Sequence, residues 1–283
     1  MTGRGLVATA LVVLLTACGE PGVTLSELES VPSSASARPT ASPESSATAV
    51  ASPSGGPSAS APMASSLTVD GLATVLVSDL VVRSAPGVDA ETSSVLPGRL
   101  TAGDRAFVVD GPVAASGYEW YLAAPLRRPD GSQGPFGWIA AASRDGEGWL
   151  RAATPDCPTS VDLASVLALQ ALERLACFGG DSLTLTAPQV ACGAGGGPWT
   201  WEPAWIAVLG GCGLAIDDTG AMPYRVPPGV ADPGTTLPLT VRGHFDDPAA
   251  QTCRVTSADP AAYPAPSVEE SVLLCRTEFV IEG

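Results

Sequence analysis

Short apolar runs separated by turn residues fill the chain between about residues 67 and 150. The runs include TVLV, LVV, AFVV, EWYLAAPL and PFGWIAAA, and glycine, proline and aspartate stand between them. Because short strands with a turn every ten or so residues are typical of small all-β folds, the pattern predicts a small β-barrel. The stretch RRPDGSQG predicts a solvated hairpin tip before the last of these runs.

A helical pattern opens the second half of the chain. Residues 159–180, TSVDLASVLALQALERLACFGG, repeat apolar side chains at helical spacing, with Thr159 and Asp162 at capping-box spacing and Gly179–Gly180 as a stop. This pattern predicts one amphipathic helix. The later runs SLTLTA, PAWIAV, TLPLTVRGHF and SVLLCRTEFVIEG predict strands. We therefore expect one helix followed by a β-sheet that closes on itself.

The first residues have the features of an export signal. Arg4 precedes an apolar run from Leu6 to Leu15, which is too short for a permanent membrane span and ends in small residues. Residues 1–17 are therefore predicted to be a signal peptide that is removed.

The end of this leader, Leu15-Thr16-Ala17-Cys18, resembles the lipobox of bacterial lipoproteins. The resemblance implies cleavage before Cys18, a diacylglyceryl group on its sulfur and acylation, for example by palmitate, of the new amino end. Two or three acyl chains would hold the protein stably at the cell membrane, on its extracytoplasmic side. An ordinary cleaved signal with a chance cysteine is the alternative.

Residues 18–66 after the leader are rich in serine, proline and alanine and nearly free of large apolar side chains. Such a segment buries too little surface to offset its ordering entropy, so it is predicted to be a disordered linker. At roughly 3 Å per residue, its extended reach would be on the order of 100 Å or more. That length is sufficient to hold a domain away from a membrane and within a cell-wall layer.

The charge balance narrows the range of partners. The chain has 14 Lys+Arg, all of them arginine, against 29 Asp+Glu, for a formal net charge of −15. Nucleic acid and anionic lipid headgroups would be repelled by this surface. We therefore expect no nucleic-acid partner and a membrane attachment that depends on the lipid anchor.

Residues 67–152 resemble a bacterial Src-homology-3-like domain. The resemblance is carried by LVVRSAPG at residues 80–87, LTAGD at 100–104, the pair Trp120-Tyr121 and the closing GWI at 137–139, although Val82 stands where an asparagine is common. It implies a barrel of five or six strands. Many members of this family bind peptidoglycan peptides or act as targeting modules beside hydrolases.

A peptide groove needs exposed aromatic rings and a few hydrogen-bonding groups. Trp120, Tyr121 and Trp138 are the candidates for the rings, with less support for Tyr121 than for the tryptophans and less support also for Tyr118. The alternative is that the tryptophans fill the small barrel as core residues. Arg127 and Arg128 form a local basic pair and are candidates for meeting a ligand carboxylate.

Six cysteines lie between residues 157 and 275. None form a C-x-x-C pair and only one histidine is available, so no metal site is predicted, and no cofactor is implied. In an exported protein, this even number predicts three disulfides. Fifteen pairings are possible; we favour the sequential pairs Cys157–Cys177, Cys192–Cys212 and Cys253–Cys275.

Residues 153–283 resemble a barrel of the oligonucleotide/oligosaccharide-binding (OB) type found in secreted bacterial proteins. LERLACFGG, EPAW, GHFDDPAAQTC and LLCRTEF carry the resemblance. It implies that GHFDDPAA lies where a strand turns into a short helix or loop. Asp246 and Asp247 before Pro248 suit such a helix start.

Two further groups are candidates for a site in residues 153–283. His244, with Asp246 or Asp247 and either a serine or Cys253 as nucleophile, would make a hydrolase or esterase centre, although no nucleophile elbow accompanies it. Trp199 and Trp201 in a glycine-flanked stretch are candidates for stacking on a carbohydrate, and covering a disulfide is the alternative.

Together these features predict a mainly β protein of two small barrels, Src-homology-3-like and then OB-like with one helix, after a disordered tether. We expect a lipid-anchored, non-enzymatic protein that binds peptidoglycan peptide or another envelope protein. A cell-wall hydrolase using His244 and a purely structural envelope lipoprotein are the alternatives.

Overall fold

A computed structural model of the chain describes residues 67–192, 199–202, 212–217, 221–234, 236–257 and 259–283, with the backbone alone at 192, 199–202 and 212. The fold is mainly β, with two large sheets, one of which forms a half-barrel. Cys18, the leader and the linker that the sequence predicts fall outside these residues.

The N-terminal sheet has seven strands in the order β3-β2-β6-β5-β4-β1-β7, and every pair of neighbours is antiparallel. The strands are β1 Leu72–Val75, β2 Leu80–Arg83, β3 Val95–Leu100, β4 Arg105–Ala115, β5 Tyr118–Pro125, β6 Gly137–Ala140 and β7 Leu150–Ala153. The short runs of the first half therefore do form strands, as predicted.

The longest hairpin of this sheet joins β4 to β5 by the two-residue turn Ser116–Gly117. Both residues have positive φ, 53° and 78°, which is the backbone that matches the twist of a two-residue hairpin. Register shifts between Val108 and Val113 bend β4. Gly111 lies at this bend with φ of 121°, and a Cβ there would meet the backbone oxygen of Trp120 at 2.9 Å.

The C-terminal part contains a six-stranded sheet in the order β8-β13-β15-β12-β11-β9 and a separate pair of strands, β10 and β14. The strands are β8 Leu183–Ala187, β9 Gln189–Cys192, β10 Trp199–Glu202, β11 Cys212–Ala215, β12 Ala221–Arg225, β13 Leu239–His244, β14 Arg254–Ser257 and β15 Phe279–Ile281. The described helices are α1 Leu163–Ala168, α2 Ala171–Phe178, α3 Val268–Arg276 and the 3₁₀ turn Pro248–Thr252.

The single helix predicted over residues 159–180 is wrong, because two helices form there. Leu169 and Gln170 have extended backbone between α1 and α2. Asp162 caps α1 through Ser165 N–H, and the Glu173 carboxylate accepts from Gln170 N–H at the start of α2. The Gln170 amide also bonds both the N–H and the carbonyl of Arg127, at 2.8 and 2.9 Å. This tertiary contact accompanies the break.

The strand predicted over SVLLCRTEFVIEG is also wrong in its first part, which forms α3 before the short strand β15. Ser267 caps the helix by accepting from Glu270 N–H. Acidic residues in the first turn and Arg276 in the last turn complement the helix dipole. The described C-terminal part thus has three α-helices instead of one.

The two large sheets share a hydrophobic core. Leu72, Phe107 and Leu126 of the N-terminal part belong to the same buried cluster as Phe245 and Phe279 of the C-terminal part, and all described residues lie in one compact unit. The N-terminal sheet ends at Ala153. The division into domains at residue 152 stays a prediction.

Candidate functional site

An aromatic cleft of about 340 Å³ lies on the N-terminal sheet. Its rings are Tyr118, Trp120 and Trp149, and we call it the aromatic cleft. Tyr118 and Trp120 are two residues apart on β5 and so face the same side, with ring centres 5.9 Å apart. Trp149, just before β7, stacks on Tyr118 at 6.0 Å with 29° between the planes.

Charged groups stand around these rings. Asp79 and Arg83 line the cleft together with Leu80 and Val81. The Arg144 guanidinium lies 5.0 Å from the centre of the Tyr118 ring, within range of a cation–π interaction. Arg144 Nη2 also donates to the carbonyl of Ser116 at 3.0 Å, which fixes the guanidinium beside the hairpin turn. The cleft therefore offers aromatic surface with both signs of charge at its rim.

Trp120 has its polar atom satisfied inside the protein. Its indole N–H donates to the Ala115 carbonyl at 2.9 Å, and the residue is only 3% exposed. It therefore contributes part of one ring to the wall of the cleft and also packs as a core residue. Tyr118 and Trp149 are half-buried and present more of their surface.

The proposed ligand contact of Tyr121 is wrong. This residue follows Trp120 on β5, so its side chain points to the opposite face of the sheet. It is 1% exposed within the core cluster formed by Val82, Leu100 and Ile139. Trp138 is half-buried on β6, directly opposite Arg83 on β2, and it is not among the residues that line the cleft.

Trp149 of the cleft and Arg144 beside its Tyr118 ring were not singled out from the sequence. The turn in which Ala142 pairs with Gly148 positions Trp149 against Tyr118. Arg144 lies in the same turn. Such a contact is non-local, and no period in the chain signals it. Tyr118 had a usable signal, since it precedes Trp120 by the two residues of a strand repeat.

Arg127 and Arg128, the predicted basic pair, make different contacts in the structure. Arg128 forms an ion pair with Asp104, through Nη2 at 2.5 Å and Nε at 2.8 Å. This hydrogen-bonded guanidinium holds the pKa of the Asp104 carboxyl below its usual value. Arg127 makes no ion pair among the described residues and lines a different cavity. The two arginines therefore do not form one anion site.

Two of the predicted disulfides are present. Cys157–Cys177 and Cys253–Cys275 are bonded, with Cα atoms 5.4 and 6.4 Å apart. The antiparallel register of β9 and β11 places Cys192 directly opposite Cys212. The side chains of this third pair lie outside the described residues, so its bond stays a prediction.

His244 lies between two carboxylates at the end of β13. Its Nδ1 is 3.1 Å from Glu282 Oε1, and its Nε2 is 3.2 Å from Asp247 Oδ2. Ser182 Oγ donates to the other oxygen of Glu282, not to the imidazole. A nucleophile activated by histidine would need to bond the imidazole itself, so this geometry is not that of a catalytic triad.

The other members of the His244 hypothesis have structural roles. Asp247 caps the 3₁₀ turn by accepting from Ala249 N–H at 2.8 Å. Asp246 binds Arg276 instead of His244. Cys253 is in a disulfide and is not available as a nucleophile. The helix start predicted at Asp246-Asp247-Pro248 is confirmed as the 3₁₀ turn.

Trp199 and Trp201 lie on β10, which pairs with β14. Their predicted stacking on a carbohydrate concerns side chains outside the described residues. Among the residues with described side chains, no group of three His, Cys, Asp or Glu could hold a metal ion. None of the helices in the described part of the chain has the length and apolar character needed to cross a bilayer.

The C-terminal part contains a buried group of charges formed by Glu278, Arg225 and Arg174. Glu278 is ion-paired with Arg225 at 3.3 Å, and no hydrogen-bond donor with suitable geometry faces its Oε2 among the described residues. Burial raises the pKa of the Glu278 carboxyl and, with the opposite sign, lowers the pKa of the Arg174 guanidinium nearby. These charges are structural partners of one another.

Comparison of the chain with protein-family models, with curated proteins and with solved structures finds no match.

Proposed function

We propose that this chain is a lipid-anchored, extracytoplasmic, non-enzymatic protein of a bacterial envelope that binds cell-wall peptide in the aromatic cleft. In this proposal the N-terminal sheet is a Src-homology-3-like barrel and the C-terminal part is an OB-like module. The lipidated Cys18 would hold the protein at the membrane, and residues 19–66 would let the folded part reach the wall.

The observation that carries the proposal is the convergence of Tyr118, Trp120 and Trp149 on one concave surface that Arg83 and Asp79 also line, with the Arg144 guanidinium against the Tyr118 ring. Ligand sites are typically concave and apolar, with a few polar groups that fix orientation. A wall peptide presents small apolar side chains together with carboxylates and amines. The rings would pack on the former, and the rim charges would pair with the latter.

Retention on purified peptidoglycan tests the proposal. The full chain is expected to sediment with insoluble peptidoglycan at physiological salt. Arg144→Gln, which changes an exposed residue, and Trp149→Ala should each weaken retention, the latter by about 10-fold or more if the ring is a central contact. Tyr263→Ala is the matched control, because it removes an exposed ring that does not line the cleft.

Equal retention of wild type and both cleft variants would refute binding in the cleft. Loss with Trp149→Ala alone could reflect unfolding, because Trp149 packs on the core. Circular dichroism of that variant and the result with Arg144→Gln separate the two explanations. No retention of the wild type would reject wall binding altogether.

A further inference from the structure

A second cavity, of about 590 Å³, lies between the hairpin after β5 and helix α3. Its walls are mostly apolar, and Phe136, Leu172 and Leu273 supply the large side chains. Two charged residues, Arg127 and Glu270, also line it. We call it the junction cleft, because the N-terminal and C-terminal parts both contribute to its walls.

The Glu270 carboxylate is half-buried and forms no ion pair among the described residues. The backbone N–H of Glu270 donates to Ser267 Oγ at the start of α3, and its carboxylate lies beside the Ser267 backbone N–H. Burial raises the pKa of this carboxyl. A neighbouring cavity of about 560 Å³ shares Glu270, Leu274 and Thr277 with the junction cleft. The carboxylate therefore stands where two cavities meet.

The backbone of Arg127 is hydrogen-bonded within the protein, whereas its guanidinium has no ion-pair partner among the described residues. Gln170 bonds its N–H and its carbonyl at 2.8 and 2.9 Å. Its guanidinium makes only a 3.3 Å bond to the Gly131 carbonyl, whereas the adjacent Arg128 is paired with Asp104. In a chain with 29 acidic and 14 basic residues, an arginine without a carboxylate partner in the described structure is a candidate for an external one.

We propose that the junction cleft binds a small zwitterion, with an ammonium group at Glu270, a carboxylate at Arg127 and an apolar chain between them. A carboxylate that has no ion-pair partner and is partly removed from water gains more from a cation than a fully solvated one does. The bidentate donors of arginine suit a carboxylate. Short peptides with free ends and ω-amino acids both have this chemistry. The site is separate from the aromatic cleft and does not depend on the proposed function.

A titration of the full chain with 6-aminohexanoate, followed by NMR or calorimetry, tests the proposal. The matched probes are hexylammonium, hexanoate and hexanol, which retain the chain but lack one or both charges. Saturable binding of 6-aminohexanoate should be at least about 10-fold tighter than binding of each matched probe. Trialanine distinguishes the two ligand classes. Tighter binding of trialanine than of 6-aminohexanoate would identify a short peptide as the ligand, and weaker binding would identify an ω-amino acid.

Four substitutions complete the design. Glu270→Gln and Arg127→Gln should each weaken 6-aminohexanoate binding by about 10-fold or more. Glu269→Gln and Arg151→Gln should leave it unchanged, because these residues are exposed and do not line the cleft. Glu269→Gln is a well-matched control for Glu270→Gln, since both glutamates lie in the first turn of α3. No saturable binding, equal binding of hexanol, or equal effects of the cleft and control variants would overturn the proposal.

Discussion

Replacing Arg276 by methionine should destabilise the whole fold, because this side chain joins the two parts of the molecule. Arg276 binds Asp246 through two hydrogen bonds, of 2.6 and 3.1 Å, and Asp70 through one of 2.7 Å. Asp70 precedes β1 in the N-terminal part, and Asp246 follows β13 in the C-terminal part. The guanidinium also lies 6.0 Å from the Phe107 ring centre.

The magnitude follows from the exposure of the three groups. Removing one member of a fully buried pair costs about 3–5 kcal/mol, and the Arg276 side chain is only 9% exposed. Its partners are more open, at 52% for Asp70 and 32% for Asp246, so both regain water when the cation is removed. Methionine retains much of the packing on Phe107. We therefore expect a loss on the order of 2–3 kcal/mol in the free energy of unfolding.

Urea unfolding, followed by tryptophan fluorescence and circular dichroism, measures this loss. Because the two sheets share a core, a single transition should move to lower urea, with both probes coincident. Arg242→Met is the control, since the Arg242 side chain is 67% exposed in its ion pair with Glu282, and such a pair should contribute less than about 1 kcal/mol. A change of under about 0.5 kcal/mol for Arg276→Met, or separate transitions for the two probes, would refute this account of the junction.

Three further outcomes are expected. Mass spectrometry of the native protein should find a diacylglyceryl group on Cys18, and Cys18→Ser should release the protein from membranes; a bare sulfur on a chain that retains its leader would contradict this. Replacing Cys157 and Cys177 together by serine should cost about 3 kcal/mol in urea unfolding, since their disulfide closes a loop with a sequence separation of 20; an unchanged midpoint would contradict it. The lowered pKa of Asp104 means that its pair with Arg128 stabilises the fold above about pH 4 and loses this effect as the pH falls through the folded-state pKa. The stability difference between wild type and Arg128→Gln should therefore shrink in acid, and a constant difference from pH 7 to strong acid would exclude the pair as its cause.

The strands of the N-terminal sheet could be predicted because their signals are local. Each signal consists of an alternating or short apolar run and a Gly or Pro turn that lie within about ten residues of one another. The hairpin at Ser116–Gly117 is an example. The two helices that replace the single predicted one show where local signals end. Leu169 and Gln170 fit a continuous helical pattern, but Gln170 bonds the backbone of Arg127, 43 residues away in the chain.

The helix α3 shows a second limit. SVLLC is a short apolar run, and such a run does not distinguish a buried strand from a helix by its period. The capping serine at 267 with acidic residues at 269 and 270 was the available signal for a helix start.

The candidate sites were the least predictable part of the molecule. Trp120 could be chosen by residue type, but its burial and that of Tyr121 depend on which face of β5 meets the core. The contact of Trp149 with Tyr118 and the approach of Glu270 to the cavity lined by Arg127 join residues far apart in the sequence. Only the folded arrangement of strands brings these groups together.

Wall-peptide binding in the aromatic cleft is tested most directly by the indole N–H signals of the six tryptophans in a ¹⁵N NMR spectrum. On titration of the full chain with a soluble wall peptide, the signals of Trp120 and Trp149 should shift and saturate together, while that of Trp138 should stay in place. Two results would contradict the account. The signals of Trp120 and Trp149 would not move at peptide concentrations that saturate binding, or the only signals to shift would be those of other tryptophans.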